Sequence, residues 1–360
     1  MRSPWFLVFL LIAALCSAQD YVAQTSNTAE NLRGVSAPAP GIAWASGTHG
    51  TYLRTLDGGT TWQAAQVPGA ESLDFRDVEA FSADLAYLLA AGPGEQSRIY
   101  KTTDRGVHWM LQFTNRDPKG FFDCMAFWDR DHGIALGDPT VRDPAQITQG
   151  TARYERAQGP KFVLITTEDG GKNWKRIPPE VLPAAIDGEG AFAASGTCIA
   201  VAGKSNVWFA TGGKVARVFH STNRGRTWTV ANTPIVQGND SSGIFSIDFR
   251  DPKHGAIAGG DYQHPDQGGA NLAFTADGGQ TWKISPISPQ SYFSAVAFLP
   301  KRSSSILAVG TTRAGYSDDI QRRMWTKSWE LNLNALAIDK TGNALVVGPK
   351  GTILHFVMGH

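Results

Sequence analysis

The stretch TADGGQTW, residues 275–282, places an Asp-Gly-Gly turn and a Trp directly after the apolar run ANLAF. The same eight-residue pattern occurs as TLDGGTTW (55–62), TTDRGVHW (102–109), TEDGGKNW (167–174) and STNRGRTW (221–228). Five copies of one pattern cannot each be a separate active site. They indicate a structural unit that is repeated along the chain.

The spacing of this unit predicts the fold. Successive motif Trp residues lie roughly 50 residues apart with one longer interval, a period that is typical of a β-propeller with one blade per repeat. Two further units, 294–332 and 334–356, keep apolar strands without a clean motif. We therefore expect an all-β, seven-bladed propeller of four-stranded antiparallel blades. The last unit supplies only three strands, so we expect YVAQTS (21–26) to add the fourth and remove the free sheet edges.

Each motif has a structural explanation. The Asp277 carboxylate can accept hydrogen bonds from N–H groups of its turn, Gly279 can adopt a positive φ, and Trp282 can bury its ring against a neighbouring blade. Asn223 keeps the acceptor in one copy, which favours a structural role over acid–base catalysis. The residues predicted for this role are Asp57, Gly59, Trp62, Asp104, Gly106, Trp109, Asp169, Gly171, Trp174, Asn223, Gly225, Trp228, Asp277, Gly279 and Trp282.

The motif resembles the Asp-box, or bacterial neuraminidase repeat, of the sialidase-like superfamily. With the preceding strands, as in WASGTHGTYLRTLDGGTTW (44–62), it resembles the photosystem II stability and assembly factor family and its bacterial relatives. That resemblance implies a non-enzymatic scaffold that binds a protein partner, such as a subunit of a membrane complex. The acidic loops GDP, GGDY and GEG depart from the arginine-rich surface of the phototrophic branch, which favours a non-photosynthetic bacterial relative.

The N-terminus predicts export. Residues 1–18, MRSPWFLVFLLIAALCSA, combine Arg2, a short apolar core and small residues near Ala18, as in a cleaved signal peptide. The apolar run is too short to span a membrane, and lipidation of Cys16 stays open as an alternative. We expect one propeller domain over 19–360 in the periplasm or outside the cell. The mature chain keeps Cys124 and Cys198, which we expect to be buried free thiols.

Charge and motif content argue against several classes of function. The formal net charge of +1 creates no field that would attract nucleic acid. No glycine-rich phosphate loop precedes a helix, and the eight His are scattered without the spacing of metal ligands. We therefore predict no cofactor, no metal and no nucleic-acid partner, and a monomeric protein.

Three long excursions, 137–161, 178–197 and 259–271, interrupt the repeat, and the propeller topology places all three on one face. Long loops in a compact fold are usually functional or disordered, and arginines are favoured at protein interfaces. The candidate binding residues on this face are Arg76, Asp77, Asp123, Asp138, Arg142, Arg153, Tyr154, Arg156, Glu189, Arg217, Asp261, Tyr262 and His264.

The carboxylates leave an alternative open. Asp138, Glu189 and Asp261 are candidates for general acid–base work in a glycoside hydrolase, or for binding carbohydrate. Sialidases carry an Arg-Ile-Pro motif early in the chain, whereas here Arg176–Pro178 follows a motif Trp in an outer strand. No complete catalytic set is present, so our leading hypothesis is an exported, non-enzymatic scaffold that binds a protein partner.

Overall fold

A computed structural model describes residues 20–140, 159–287, 291–300, 302 and 304–356. Seven antiparallel sheets surround a central channel, which confirms the predicted seven-bladed, four-stranded propeller. Two 3₁₀ helices, Gly94–Gln96 and Pro179–Val181, lie within the described residues. No helix in that part of the chain is long and apolar enough to span a membrane.

The strands are numbered in chain order and assigned to blades by their pairing. Strand β1 is Tyr21–Gln24, and blade 1 consists of β2 (Leu32–Ala39), β3 (Ile42–Gly47), β4 (Thr51–Thr55) and β5 (Gln63–Gln66). Blade 2 consists of β6 (Phe75–Ala80), β7 (Ala86–Ala90), β8 (Arg98–Thr102) and β9 (Met110–Thr114). Blade 3 consists of β10 (Phe122–Phe127), β11 (Gly133–Thr140), β12 (Lys161–Thr167) and β13 (Lys175–Arg176).

The second half of the chain adds four blades and two short extra strands, β14 (Glu189–Gly190) and β17 (Gly212–Gly213). Blade 4 consists of β15 (Ile199–Ala202), β16 (Asn206–Ala210), β18 (Arg217–Ser221) and β19 (Thr229–Asn232). Blade 5 contains β20 (Ser242–Phe249), β21 (Gly255–Asp261), β22 (Leu272–Thr275) and β23 (Lys283–Ile284). Blade 6 consists of β24 (Ala295–Phe298), β25 (Ile306–Val309), β26 (Ala314–Ser317) and β27 (Lys327–Trp329), and blade 7 begins with β28 (Ala335–Ile338), β29 (Ala344–Val347) and β30 (Ile353–Phe356). Strands β14 and β17 extend the blade 5 sheet to six strands.

The N-terminal strand closes the ring. Strand β1 pairs antiparallel with β30, from Tyr21 opposite Phe356 to Gln24 opposite Ile353, and becomes the outer strand of blade 7. The Gln24 side chain reaches blade 1, where its amide donates to Gly58 O at 3.0 Å and its oxygen accepts the Trp62 indole N–H at 2.9 Å. Blade 7 is therefore completed by the N-terminal strand, and the Gln24 side chain links it to blade 1 by hydrogen bonds.

The five motif turns share one hydrogen-bond pattern. In 275–282 the Thr275 hydroxyl accepts the Gly279 N–H at 3.0 Å and donates to Asp277 Oδ1 at 2.8 Å, while the same carboxylate oxygen accepts the Thr281 N–H at 3.0 Å. Gly279 has a φ of +86°, where a Cβ would be strained. Asn223 Oδ1 accepts the corresponding N–H at 2.9 Å, so a neutral acceptor serves equally well.

Aromatic residues of the second strands bond two of these turns to the preceding blade. The Trp208 indole of blade 4 donates to Gly278 O at 2.8 Å, and the Tyr87 hydroxyl of blade 2 donates to Gly170 O at 2.9 Å. The motif Trp rings join the same apolar clusters: Trp282 packs with Trp208, and Trp109 lies 5.0 Å from the Tyr52 ring of blade 1. Burial of these rings between blades holds neighbouring sheets together.

The expectation of free thiols is wrong. Cys124 in β10 and Cys198 just before β15 form a disulfide, with Cα atoms 6.1 Å apart, inside the range that such a bond requires. Both residues begin the first strand of successive blades, and neighbouring first strands lie side by side around the channel. The disulfide therefore joins blades 3 and 4 at the inner wall.

The topology gives the ring two different faces. The face with the second-to-third strand loops and the connections between blades is called the loop face. The opposite, turn face carries the first-to-second strand turns and the five motif turns, which bond to each other, as where the Gly278 N–H donates to Lys253 O at 2.9 Å. The excursions 178–197 and 259–271 belong to the loop face, and the excursion 137–161 leaves β11 and enters β12 at this face, with residues 141–158 lying outside the described residues.

Candidate functional site

Four first strands carry a β-bulge at the same position near the loop face. The ladder to the second strand skips Arg33 in blade 1, Arg76 in blade 2, Asp123 in blade 3 and Phe245 in blade 5. A bulge leaves its residue unpaired and re-aims the side chain. We call these four residues the bulge ring. The sequence analysis did not name Arg33 or Phe245 as site residues, and it named Arg76 and Asp123 without predicting their bulges.

The bulge ring lies around the mouth of the central channel. Arg33 interacts electrostatically with Arg76 and with Tyr292 of the blade 5–6 connection, and burial together with the Arg76 charge lowers the pKa of Arg33. The Phe245 ring lies 4.7 Å from the Tyr292 ring in an edge-to-face contact. Side chains from blades 1, 2, 5 and 6 thus meet at this mouth.

The connection between blades 3 and 4 crosses this mouth. We call its residues 191–197 the plug. The Arg76 guanidinium donates to Ala193 O at 3.0 Å, and the Ala191 N–H donates to Asp138 Oδ1 at 2.9 Å. Further along, the Ser195 hydroxyl donates to Ser294 O at 2.8 Å. The plug therefore bonds to blades 2 and 3 on one side of the channel and to the start of blade 6 on the other.

Phe192 anchors the plug in a pocket whose walls are glycines. Its ring stacks on Phe245 with centroids 4.0 Å apart and planes 10° apart. A Cβ on Gly212 would lie 2.3 Å from the Phe192 ring, and one on Gly243 would lie 3.2 Å from it. Since real Cβ atoms do not approach below about 3 Å, Gly212 is required for this ring to reach its place.

Glu189, a predicted site residue, is buried in an ion pair with Arg217, another predicted one. Arg217 donates from Nε to Glu189 Oε1 at 2.9 Å and from Nη2 to Oε2 at 2.5 Å. The Thr211 hydroxyl and the Ile186 N–H complete the set at 2.6 and 2.9 Å. The Glu189 carboxylate thus accepts four hydrogen bonds, and its ion pair with Arg217 holds the chain in place just before the plug.

Asp123 and Asp138 form an acidic pair beneath the plug. Burial raises the pKa of Asp123 well above its ordinary value, Asp138 raises it further, and Arg76 lowers it. Burial also raises the pKa of Asp138, opposed by the Ala191 N–H. Asp123 Oδ2 is buried with no hydrogen-bond partner within the described residues. Burial therefore opposes ionisation of both carboxyl groups, and Asp138 seats the plug through the Ala191 N–H.

Predicted residue Asp77 holds neighbouring blades together inside the channel. Its carboxylate accepts the Met125 N–H of blade 3 at 2.7 Å, and Asp248 accepts the Phe298 N–H of blade 6 at 2.8 Å. Both line a cavity of about 430 Å³ that all seven first strands surround. Glu79 lines it as well, has no hydrogen-bond or ion-pair partner among the described residues, and has its pKa raised to about 7 by burial.

Asp261, Tyr262 and His264 lie together at the start of the blade 5 loop. Burial opposes ionisation of Asp261, but hydrogen bonds from Ser241, His264 and the Gln263 N–H outweigh it and lower the pKa of Asp261 to about 2. Tyr262 projects from this loop, with its ring 6.0 Å from Phe245 and 6.3 Å from Phe192. Asp261 is thus an ionised carboxylate that shapes the loop displaying Tyr262.

The remaining predicted residues, Arg142, Arg153, Tyr154 and Arg156, lie outside the described residues. Of the carboxylates considered for acid–base chemistry, Glu189 is held by Arg217, Asp138 by the plug and Asp261 by its own loop. Among the residues that the structure describes, no group of three or more His, Cys, Asp or Glu side chains could hold a metal ion.

Comparison with known proteins identifies the architecture. No protein-family model matches the chain, and no curated protein matches it. The structure of YCF48 bound to D1 peptide matches with a TM-score of 0.64 at 16% identity, covering 95% of this chain and 98% of that one. YCF48 from Cyanidioschyzon merolae matches with a TM-score of 0.58 at 18% identity, covering 94% and 98%.

A third similar structure is the WD40 β-propeller domain of Doa1, with a TM-score of 0.62 at 10% identity over 94% of this chain and 97% of that one. Identities this low show a shared fold. The likeness extends over nearly the whole length of each chain, so the propeller as a unit is the common element.

Proposed function

We propose that this chain is an exported, non-enzymatic propeller scaffold that binds a protein partner, such as a subunit of a membrane complex, through its loop face. The observation that carries the proposal is that the charged residues at the channel mouth form hydrogen bonds and an ion pair within the protein. Arg76, Asp138, Glu189 and Arg217 bond to the blade 3–4 connection, which leaves the exposed loops around the mouth as the surface for binding.

Two further observations support this proposal. The sequence motifs resemble those of an assembly-factor family whose members act as scaffolds. A propeller with the same fold has been captured as YCF48 bound to D1 peptide, so an architecture of this kind can hold a peptide. The signal-like residues 1–18 support export, and mass determination of the mature N-terminus would test cleavage near Ala18.

Cross-linking capture from the native envelope tests the binding role. We expect the tagged wild-type protein to capture a reproducible partner. A protein lacking 140–158 should fold with an unchanged circular dichroism spectrum and lose the partner. The control is Asp277→Asn, a turn-face change that copies Asn223 and should keep capture. Retention of the partner by the deletion protein at full folding would refute binding through this loop.

A further inference from the structure

Three large apolar side chains are exposed in one sector of the loop face. Ile186 of the blade 3–4 connection is 44% exposed, Val236 of the blade 4–5 connection 37%, and Tyr262 of the blade 5 loop 47%. The other large apolar side chains exposed in the described residues, such as Val107 and Met324, lie near motif turns or outer strands. Singly exposed apolar residues are ordinary, but a group on one surface marks an interaction site.

Backbone hydrogen bonds show that the loops carrying these side chains are neighbours. The Lys214 N–H donates to Gly188 O at 3.0 Å, and the Gly238 N–H donates to Gly213 O at 2.9 Å. The Tyr262 N–H in turn donates to Ser241 O at 3.2 Å. The connection at 186–190, the blade 4 loop, the connection at 236–241 and the blade 5 loop therefore form one continuous surface.

Each apolar side chain on this surface has an exposed carboxylate near it in sequence. Asp187 follows Ile186 and its side chain is fully exposed, with only Lys214 at 3.8 Å. Asp240 and Asp266 are exposed in the other two loops, and neither has a hydrogen bond or ion pair among the described residues. Asp266 shares a pocket with Arg313 and Glu330, which form an exposed ion pair at 3.7 Å. With that pair counted, four carboxylates face Lys214 and Arg313, so the surface carries an excess of negative charge.

We propose that this surface, Ile186, Asp187, Val236, Asp240, Tyr262 and Asp266, docks a partner segment in which apolar side chains alternate with Lys or Arg. The inference rests on the proposed function and specifies the chemistry of the partner. Aliphatic Ile and Val contacts suit a peptide, whereas sugar rings favour polar and aromatic groups. The carboxylates attract ammonium and guanidinium groups and repel anionic lipid headgroups and nucleic acid.

Fluorescence anisotropy with defined peptides tests the charge requirement. The probe is a fluorescein-labelled 14-residue peptide of Leu, Tyr and Lys, and its counterpart has Glu in place of Lys. The test variant is Asp187→Asn/Asp240→Asn/Asp266→Asn. The matched control is Asp84→Asn/Asp131→Asn/Glu168→Gln, which removes three exposed carboxylates from the turn face. A second pair of variants compares Val236→Ser/Tyr262→Ser with Val107→Ser/Met110→Ser.

We expect the wild-type protein to bind the Lys peptide and not the Glu peptide, more weakly at high salt. The loop-face charge variant should lose about tenfold in affinity, since three exposed pairs are removed, and the turn-face control should change by less than about twofold. Val236→Ser/Tyr262→Ser should weaken binding and its control should not. Equal binding of both peptides, equal losses in a variant and its control, or no binding up to about 1 mM would each overturn the inference.

Envelope capture separates this inference from the proposed function. Capture that is lost on deleting 140–158 but unchanged in the loop-face charge variant would overturn the docking surface and leave loop-face binding intact. Capture unchanged in both proteins would overturn the proposed function itself. Loss of capture in the charge variant, with retention in its turn-face control, supports both.

Discussion

Removing one member of the Glu189–Arg217 pair should destabilise the protein far more than removing both. The pair is buried, and the two Arg217 contacts supply half of the four donors on the Glu189 carboxylate. Arg217→Met would leave the Glu189 side chain in the interior without a countercharge, bonded only to the Thr211 hydroxyl and the Ile186 N–H. The expected loss in the free energy of unfolding is about 3–5 kcal/mol.

Removing Glu189 instead would leave the Arg217 charge buried without its partner. In Glu189→Leu, the Arg217 guanidinium would retain Ala184 O at 2.8 Å and the Phe219 ring at 5.0 Å from its Cζ atom, with no countercharge in contact. The double variant removes both charges and fills the space with apolar atoms, so its cost should fall to about 1 kcal/mol or less. The double-mutant cycle should therefore give a coupling of several kcal/mol.

Urea unfolding followed by Trp fluorescence measures all four proteins at 25 °C. The matched control is the exposed Arg105–Asp84 pair, whose side chains are more than half exposed at 2.7 Å. The corresponding cycle with Arg105→Met and Asp84→Leu should show coupling of about 0.2–1 kcal/mol. Additive losses for Glu189 and Arg217 within about 0.5 kcal/mol would refute the claim that this pair is a desolvated anchor.

Three further predictions concern the turns, the channel and the disulfide. Asp277→Ala should cost about 1–3 kcal/mol in urea unfolding because the Thr281 N–H and two hydroxyls lose their acceptor, whereas Asp277→Asn should cost less; equal costs would contradict the role assigned to the turn. Since the pKa of Glu79 is raised to about 7, its stabilising effect is complete below about pH 4.5 and is lost as the pH rises through 7, by about 3 kcal/mol. Glu79→Gln should therefore raise the Tm at pH 8 and leave it unchanged at pH 4, and a difference independent of pH would count against burial of this carboxyl. Cys124→Ser/Cys198→Ser should lower the free energy of unfolding by about 2–5 kcal/mol, and alkylation of the denatured wild-type protein without reductant should leave both cysteines unlabelled in its mass spectrum; a labelled wild-type cysteine would contradict the pairing.

Two features of the motif turns, the Asp277 acceptor and the positive φ of Gly279, were predicted from sequence because these contacts are local. The Thr275 hydroxyl, which accepts the Gly279 N–H and donates to Asp277, was not predicted, although it lies within the same five residues. The partner strand of blade 7 was predictable for a different reason. The last repeat supplies only three strands of a four-stranded blade, and the N-terminal segment 21–26 was available to pair with its free edge.

The channel mouth depends on contacts between distant parts of the chain, and sequence predicted it less well. Arg33 was missed although LRGVSA (32–37) aligns with FRDVEA (75–80) and gives Arg33 the position in blade 1 that Arg76 has in blade 2. The bulges could not be deduced, since an extra residue in a ladder leaves no mark in the composition of either strand. The plug was predicted as an exposed binding loop because its stacking on Phe245 depends on glycines far along the chain.

These contacts determine where a partner can bind. A ligand entering the channel mouth would have to displace the Arg76 and Asp138 contacts to the plug and the stacked Phe192 ring, and it would uncover the buried Asp123 and Asp138 carboxyl groups. The loops outside the mouth present side chains that need no displacement. Ile186 donates its N–H to Glu189 and Tyr262 lies beside Phe192, so the anchors that close the channel also hold the proposed docking surface in place. In the proposed docking surface, the charged residues at the mouth would therefore position the loops and would not touch the partner.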